Sequence, residues 1–184
     1  MASDQVFVGL MSGTSLDGVD VVLARFDGDP AAPATDAGVQ VLAHVYTPYS
    51  TALREEIKAV CHGQPLTLPQ LGLLDLAVAR KYVEAIRAAL AQAGLQPAQV
   101  RAVGCHGQTV FHQPLGEDRF TMQIGEPNTI AVGVGIPMVA EFRRRDMALG
   151  GQGAPLAPAL HDHWFRHPQR TRVVLNGGGI ANIT

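Results

Sequence analysis

The stretch FRRRDMALGGQGAP, residues 142–155, sets three arginines against one aspartate and runs directly into a glycine-rich turn. A carboxylate beside fixed positive charge stays ionised at neutral pH. Arginine does not lose its proton and can fork onto phosphate oxygens. Asp146, between the arginines and GGQG, therefore reads as a place where a transferring phosphoryl group meets its acceptor. The same arginines weaken an aspartate as a base, so good positioning has to compensate. The plain alternative is a solvated arginine run with a cap-like aspartate.

Three further stretches carry residue types suited to chemistry. SGTSLDGVD, 12–20, combines glycines that let the backbone turn with the hydroxyls of Thr14 and Ser15. A strand–turn–strand of this kind can wrap a phosphate with backbone N–H groups. It has no P-loop lysine and opens no helix, so that motif is excluded; an ordinary hairpin turn is the alternative. In GCHGQTVFH, 104–112, His106 sits between small residues at a strand end, where it can reach a cleft or simply bond to backbone. Cys105 beside it invites a cysteine-nucleophile reading, yet neighbours on a strand point to opposite faces. In QIGEPN, 123–128, Glu126 and Asn128 stand at a helix start, where caps belong. His161 and His163 are two apart on a predicted helix and share no face, which argues against a metal pair.

The elements that must position these residues follow from periodicity and punctuation. VFVGLM (6–11) is a near-continuous apolar run, as expected of a strand buried on both faces. VDVVLARF (19–26) and VQVLAHVY (39–46) complete a meander around the turn at 12–18 and a Pro/Ala-rich loop at 27–38. Residues 50–63 form a helix with Ser50 or Thr51 as cap. Residues 67–93 form a longer one, with capping-box spacing at Thr67 and Gln70. Its apolar stripe runs Leu71, Leu74, Val78, Tyr82, Ile86, Leu90, and Gly94 closes it. Strands are expected at 100–107, 120–127, 136–142 and 171–184, and helices at 127–134 and 154–165. The last strand has no evident partner, which is a liability. This order suits an α/β domain around a mixed sheet flanked by helices.

The whole chain, 184 residues with 47% hydrophobic and 16% charged, has room for one sizeable core. Its net charge of −2 gives no electrostatic case for nucleic acid or an anionic membrane. No apolar run reaches the length of a membrane span, and MASDQVFVGL lacks the basic start of a secretory leader. Cys61 and Cys105 follow no disulfide or zinc pattern, so a reduced, cytoplasmic setting is expected.

Taken in order, GLMSGTSLDGVDVVLARFDG, GCHGQTVFH, QIGEPN, FRRRDMALGGQGAPLAPALH and VVLNGGGIANIT resemble the anhydro-N-acetylmuramic acid kinases over residues 6–184. These belong to the sugar kinase/heat-shock ATPase/actin superfamily. The resemblance implies an actin-like, ribonuclease H-like fold of two lobes with ATP between them. Residues 1–170 would be the N-terminal lobe. Residues 171–184 would be the first strand and glycine turn of a second lobe whose remainder is missing, so weak nucleotide binding and no useful turnover are expected of these residues alone. Gly13, Thr14, Ser15, Leu16, Asp17, Gly18, Val19 and Asp20 would form the first phosphate loop, and 176–182 would begin the second.

The implied reaction opens the 1,6-anhydro ring with water and phosphorylates the freed 6-oxygen, in peptidoglycan recycling. Asp146 matches the catalytic aspartate. His106, Gly107, Gln108, Glu126 and Asn128 match motifs that face the sugar, and Arg144 is assigned to the lactyl carboxylate or to a phosphate. The implied partners are ATP, with Mg²⁺ carried by the nucleotide and no protein metal site, and the amino sugar; nucleic acid and membrane are not among them, and a homodimer is allowed. One departure is Met11, where many superfamily members carry an acid for the metal's water shell; Asp17 or Asp20 would substitute. Two other classes compete: a non-catalytic module binding amino sugars or phosphate, and a Cys/His hydrolase using Cys105.

Overall fold

The computed structural model describes residues 5–27, 38–177 and 181–184. Positions 28–37 of the Pro/Ala-rich loop and 178–180 of the last glycine turn lie outside the described residues. Strands β1 (Gln5–Met11), β2 (Gly18–Phe26) and β3 (Val39–Pro48) form the expected antiparallel meander. Beyond β1, β4 (Val100–Cys105) and then β7 (Met138–Val139) add in parallel. The result is a mixed sheet in the order β3-β2-β1-β4-β7. A parallel neighbour needs a long connection, and helices α1 (Thr51–Cys61) and α2 (Leu68–Ala93) supply it between β3 and β4.

Helix α2 forms where periodicity and caps agree. The Thr67 hydroxyl accepts from the Gln70 amide, and the Gln70 side chain accepts from the Thr67 amide in return. Gly94 ends the helix at φ +66°, the left-handed conformation that suits glycine. Leu74, Val78, Tyr82, Ile86 and Leu90 are buried against the sheet, as the stripe predicts. Each such side chain removed from water contributes about 1.5–3 kcal/mol. This coverage corrects one expectation: β1 is not buried on both faces. Val6, Val8 and Leu10 enter the core, whereas Gly9 and Met11 are exposed. α2 packs on β1, β2 and β3, so the side chains facing it are the ones that leave water.

The stretch after β4 also differs from expectation. QTVFHQ is a strand, β5 (Gln108–Gln113), paired antiparallel with β6 (Phe120–Ile124) in a separate two-stranded sheet. Val110 points inward, while Phe111 points out and stacks on Phe120, ring centroids 5.1 Å apart. Helix α3 (Pro127–Val134) stands where predicted. It lies so close to α2 that a Cβ on Gly133 would come within 2.7 Å of Val83.

The strand expected over 136–142 contracts to β7, because Glu141 turns the chain at φ +61° and starts α4 (Phe142–Ala148). The last helix, α5 (Pro158–Phe165), begins later than expected. Pro158, which needs no N–H bond in a first turn, marks its start in place of Pro155. β8 (Leu175–Asn176) and β9 (Asn182–Ile183) pair with each other, so the final strand has a partner after all. No described helix is long and apolar enough to cross a membrane.

Candidate active site

The β1–β2 connection is a tight hairpin turn. The Leu16 amide donates to the Gly13 carbonyl at 3.3 Å, and the chain passes through Leu16 at φ +53°. Leu16 and Val19 are buried, so they offer a ligand only their backbone. Thr14, Ser15, Asp17 and Asp20 are exposed. Glycine is obligatory at Gly18, where a Cβ would meet the Thr47 carbonyl at 2.5 Å. The Ser15 hydroxyl donates to Asp17 Oδ1 at 2.6 Å and is the main cause that lowers the Asp17 pKa; partial burial opposes it. Asp20 is engaged by His44 Nε2 at 2.8 Å. A turn with exposed hydroxyls and the exposed carboxylate of Asp17 fits a phosphate chain accompanied by a hydrated Mg²⁺.

A cleft of about 390 Å³ opens between the N-terminal half of α2, the β4–β5 turn, the end of β6 and the β7–α4 junction. His106, Gly107, Glu126 and Arg144 all line it, so the fold gathers four predicted sugar contacts from three separate motifs. His106 Nε2 lies 2.8 Å from Met11 Sδ, and among the described residues its Nδ1 is buried without a hydrogen-bond partner. Burial, and then the nearby Arg143 charge, push the imidazole down to about 4, so the ring is neutral at physiological pH. Gly107 turns at φ +80° directly over β6; a Cβ there would meet the Ile124 carbonyl at 2.8 Å. Glu126 caps α3, accepting from the Asn128 amide at 2.8 Å, the Asn128 side chain at 2.7 Å and the Thr129 amide at 2.5 Å. Partial burial favours its neutral form, but the hydrogen bonds from Thr129 and Asn128 outweigh that and bring the carboxyl down to about 2.

Two predicted contacts lie apart from this lining. Gln108 is 1% exposed. Its amide donates to the Gly13 carbonyl at 3.2 Å and its oxygen accepts from the Tyr49 hydroxyl at 3.3 Å. It braces the first turn from beneath. Asn128 is exposed and occupied with Glu126. Conversely, sequence reasoning missed Asp75, which lines the cleft and holds the Gly125 amide at 2.6 Å. The signal was an acid on the apolar stripe of α2, four residues after Leu71 and three before Val78. It missed Tyr82 as well. Tyr82 is fully buried, its hydroxyl bonds Ser12 Oγ at 2.5 Å, and its ring lies where a Cβ on Gly125 would have to be. One ring thus spans the base of the first turn and the QIGEP turn.

The strand expected over 136–142 does not lead straight into Asp146. Asp146 stands on α4, facing the turn at 150–153. Its Oδ2 accepts from the Gly153 amide at 2.7 Å, and its backbone carbonyl accepts from the Gly151 amide at 2.9 Å. The carboxylate occupies the space a side chain on Gly151 would fill, so only glycine fits there. The three arginines diverge. Arg143 donates to the Gly153 carbonyl at 2.7 Å, Arg144 pairs with Glu141 at 3.0 Å on the cleft wall, and Arg145 is exposed.

Cys105 is buried and its thiol accepts from the Gly107 amide at 3.2 Å; burial pushes it up to about 12, too high for a thiolate nucleophile. Among the described residues no group of three His, Cys, Asp or Glu side chains is placed to hold a metal ion.

A glycine turn with exposed hydroxyls, a cleft lined by a neutral imidazole and charged side chains, and a half-buried carboxylate on a glycine seat are parts that a sugar phosphotransferase would use together. A family model described as anhydro-N-acetylmuramic acid kinase matches residues 5–184, the whole span that holds these parts. On that match the chain belongs to the anhydro-N-acetylmuramic acid kinase family.

Proposed function

We propose that this chain forms the N-terminal lobe of an ATP-dependent kinase. The kinase adds water across the 1,6-anhydro bond of anhydro-N-acetylmuramic acid and phosphorylates the freed 6-oxygen, giving N-acetylmuramic acid 6-phosphate for cell-wall recycling. Family membership supports the kinase class and the sugar. The observation that carries the mechanism is the seat of Asp146, a carboxylate oriented by the Gly153 amide on the same short helix as cleft-lining Arg144.

An inverting glycosidase uses one carboxylate to activate water and an acid to protonate the departing oxygen. Here the departing oxygen takes a phosphoryl group in place of that proton, so one carboxylate suffices. Asp146 accepts a proton from water as the water oxygen bonds to the anomeric carbon. The bond from that carbon to the 6-oxygen breaks, and its electron pair forms the new bond to the γ-phosphorus as ADP departs. His106 and Glu126 offer the sugar's polar groups a neutral ring and an ionised carboxylate. Arg144 offers its charge to the lactyl carboxylate or a phosphate. The turn at 13–20 would hold the phosphates, and Mg²⁺ travelling with ATP would offset their charge. β8 and β9 form a ladder of their own, separate from the main sheet, which supports reading 171–184 as the start of a second lobe.

In the full-length protein Asp146→Asn keeps the shape and removes the base. The expected result is a kcat loss of at least about 10³-fold with ATP binding retained, read by a coupled ADP assay and calorimetry. Near-normal turnover would refute the assignment.

A further inference from the structure

We propose that Arg143 is a positioning residue for this reaction: acting through Gly153, it determines which oxygen of Asp146 is left to take the proton. The inference rests on the reading of Asp146 as the water-activating base. Arg143 and Asp146 are three residues apart on α4 and so share a face. Gly153 is gripped from both, its amide donating to Asp146 Oδ2 and its carbonyl accepting from Arg143 Nη1, each at 2.7 Å. None of the three residues is exposed; Gly153 is buried and its φ is +72°. A Cβ on it would meet Met147 at 3.0 Å, so the turn packs closely on α4.

The terminal torsion of an aspartate is broad, and rotation about it exchanges the two oxygens. A single strong donor at Oδ2 stops that exchange. Among the described residues Oδ1 accepts no hydrogen bond, which leaves its lone pairs free to take a proton. The donor is only as fixed as Gly153, and the described hold on the Gly153 carbonyl is Arg143. Arg119 touches the same turn more weakly, at the Gly150 carbonyl, 3.3 Å away. Among the described residues Arg143 Nε is buried without a hydrogen-bond partner, an arrangement that costs free energy. Arg144 and Arg145 turn elsewhere, so adjacency in sequence does not make the three arginines equivalent.

The test uses Arg143→Met in the full-length protein, which keeps the apolar stem and removes the donors. The expected result is a kcat loss of about 10- to 100-fold with KM for sugar and ATP within about threefold. Arg145→Met, on the exposed side of α4, should match the unsubstituted protein. In Arg143→Ala, added methylguanidinium should restore kcat by about tenfold or more, a gain that a merely structural role would not give. Asp146→Asn should gain nothing from the same additive. A raised sugar KM with intact kcat would make Arg143 a substrate contact and overturn the inference, as would kcat within about twofold of the unsubstituted protein. Where Arg143→Met loses its thermal transition, Arg143→Lys is read by NMR. Its Gly153 amide proton should move upfield as the carboxylate bond loosens, and an unmoved resonance overturns the inference. If Asp146→Asn keeps near-normal turnover, the base assignment itself fails, and that result is distinct from a failure confined to Arg143.

Discussion

Two residues of the cleft have their charge states set by their surroundings. His106 lies at the end of β4, where burial and then the Arg143 guanidinium bring it down to about 4 from an ordinary 6.5. The folded ring resists protonation that the unfolded ring accepts, so acidification favours unfolding as pH falls from 6.5 towards about 4. Its imidazole resonances should therefore stay at their neutral positions between about pH 5 and 8 in an NMR titration. A midpoint near the ordinary histidine value would contradict this placement. Glu126 behaves differently. Its carboxyl is held at about 2 against an ordinary 4.5, so the stability it lends is complete above 4.5 and is lost as pH falls towards about 2. Replacing it with alanine removes the α3 cap at a cost of about 0.5–2 kcal/mol. In urea melts, the gap between Glu126→Ala and the parent should narrow below the unfolded-state value; a gap independent of pH would show that the cap does not depend on the charge.

The decisive element is α4 with its following turn, and it was the least legible part of the sequence. Three adjacent arginines hide helical periodicity, and the glycines after them read as a loop. The helix is closed by the Gly151 amide on the Asp146 carbonyl and by Arg143 on Gly153 ten residues on, and the second of these is a side-chain bond that no apolar pattern displays. By contrast, α2 announced itself through Thr67, Gln70, a stripe of spaced apolar residues and Gly94. The strand β5 was hidden for another reason: its alternation of Val110 in and Phe111 out follows a glycine turn at once and is too short to stand apart from it. The cleft's lining was legible at His106, Gly107, Glu126 and Arg144, which are polar residues or a glycine in turns and at helix starts. Gln108 looked the same in sequence but points beneath the first turn, a distinction only the β5 register makes. The geometry of α4 predicts that Gly151→Ala, whose new methyl group would displace the Asp146 carboxylate, lowers kcat about 100-fold while ATP affinity holds. Kinetics within about twofold of the parent would mean the carboxylate has room that this packing denies.

Across the molecule, stability is unevenly distributed. Val8, Val21, Val103 and Tyr82 belong to one buried cluster shared by β1, β2, β4 and α2. Helix α5 buries no residue, and Leu175 and Ile183 on β8 and β9 are largely exposed. Hydrogen exchange should therefore be slowest in β1, β2, β4 and α2 and fastest across α5, β8 and β9. Protection in α5 equal to that in α2 would overturn this ranking.

The placement of the 390 Å³ cleft has one more consequence. None of the residues 13–20 lines it, and its walls come from α2, the β4–β5 turn, β6 and the β7–α4 junction. On the proposed reading, a small molecule shaped to that cavity would compete with the sugar while leaving the nucleotide's own contacts untouched. Its potency would then be insensitive to the high ATP concentration of a living cell, which is the usual obstacle to inhibiting a kinase.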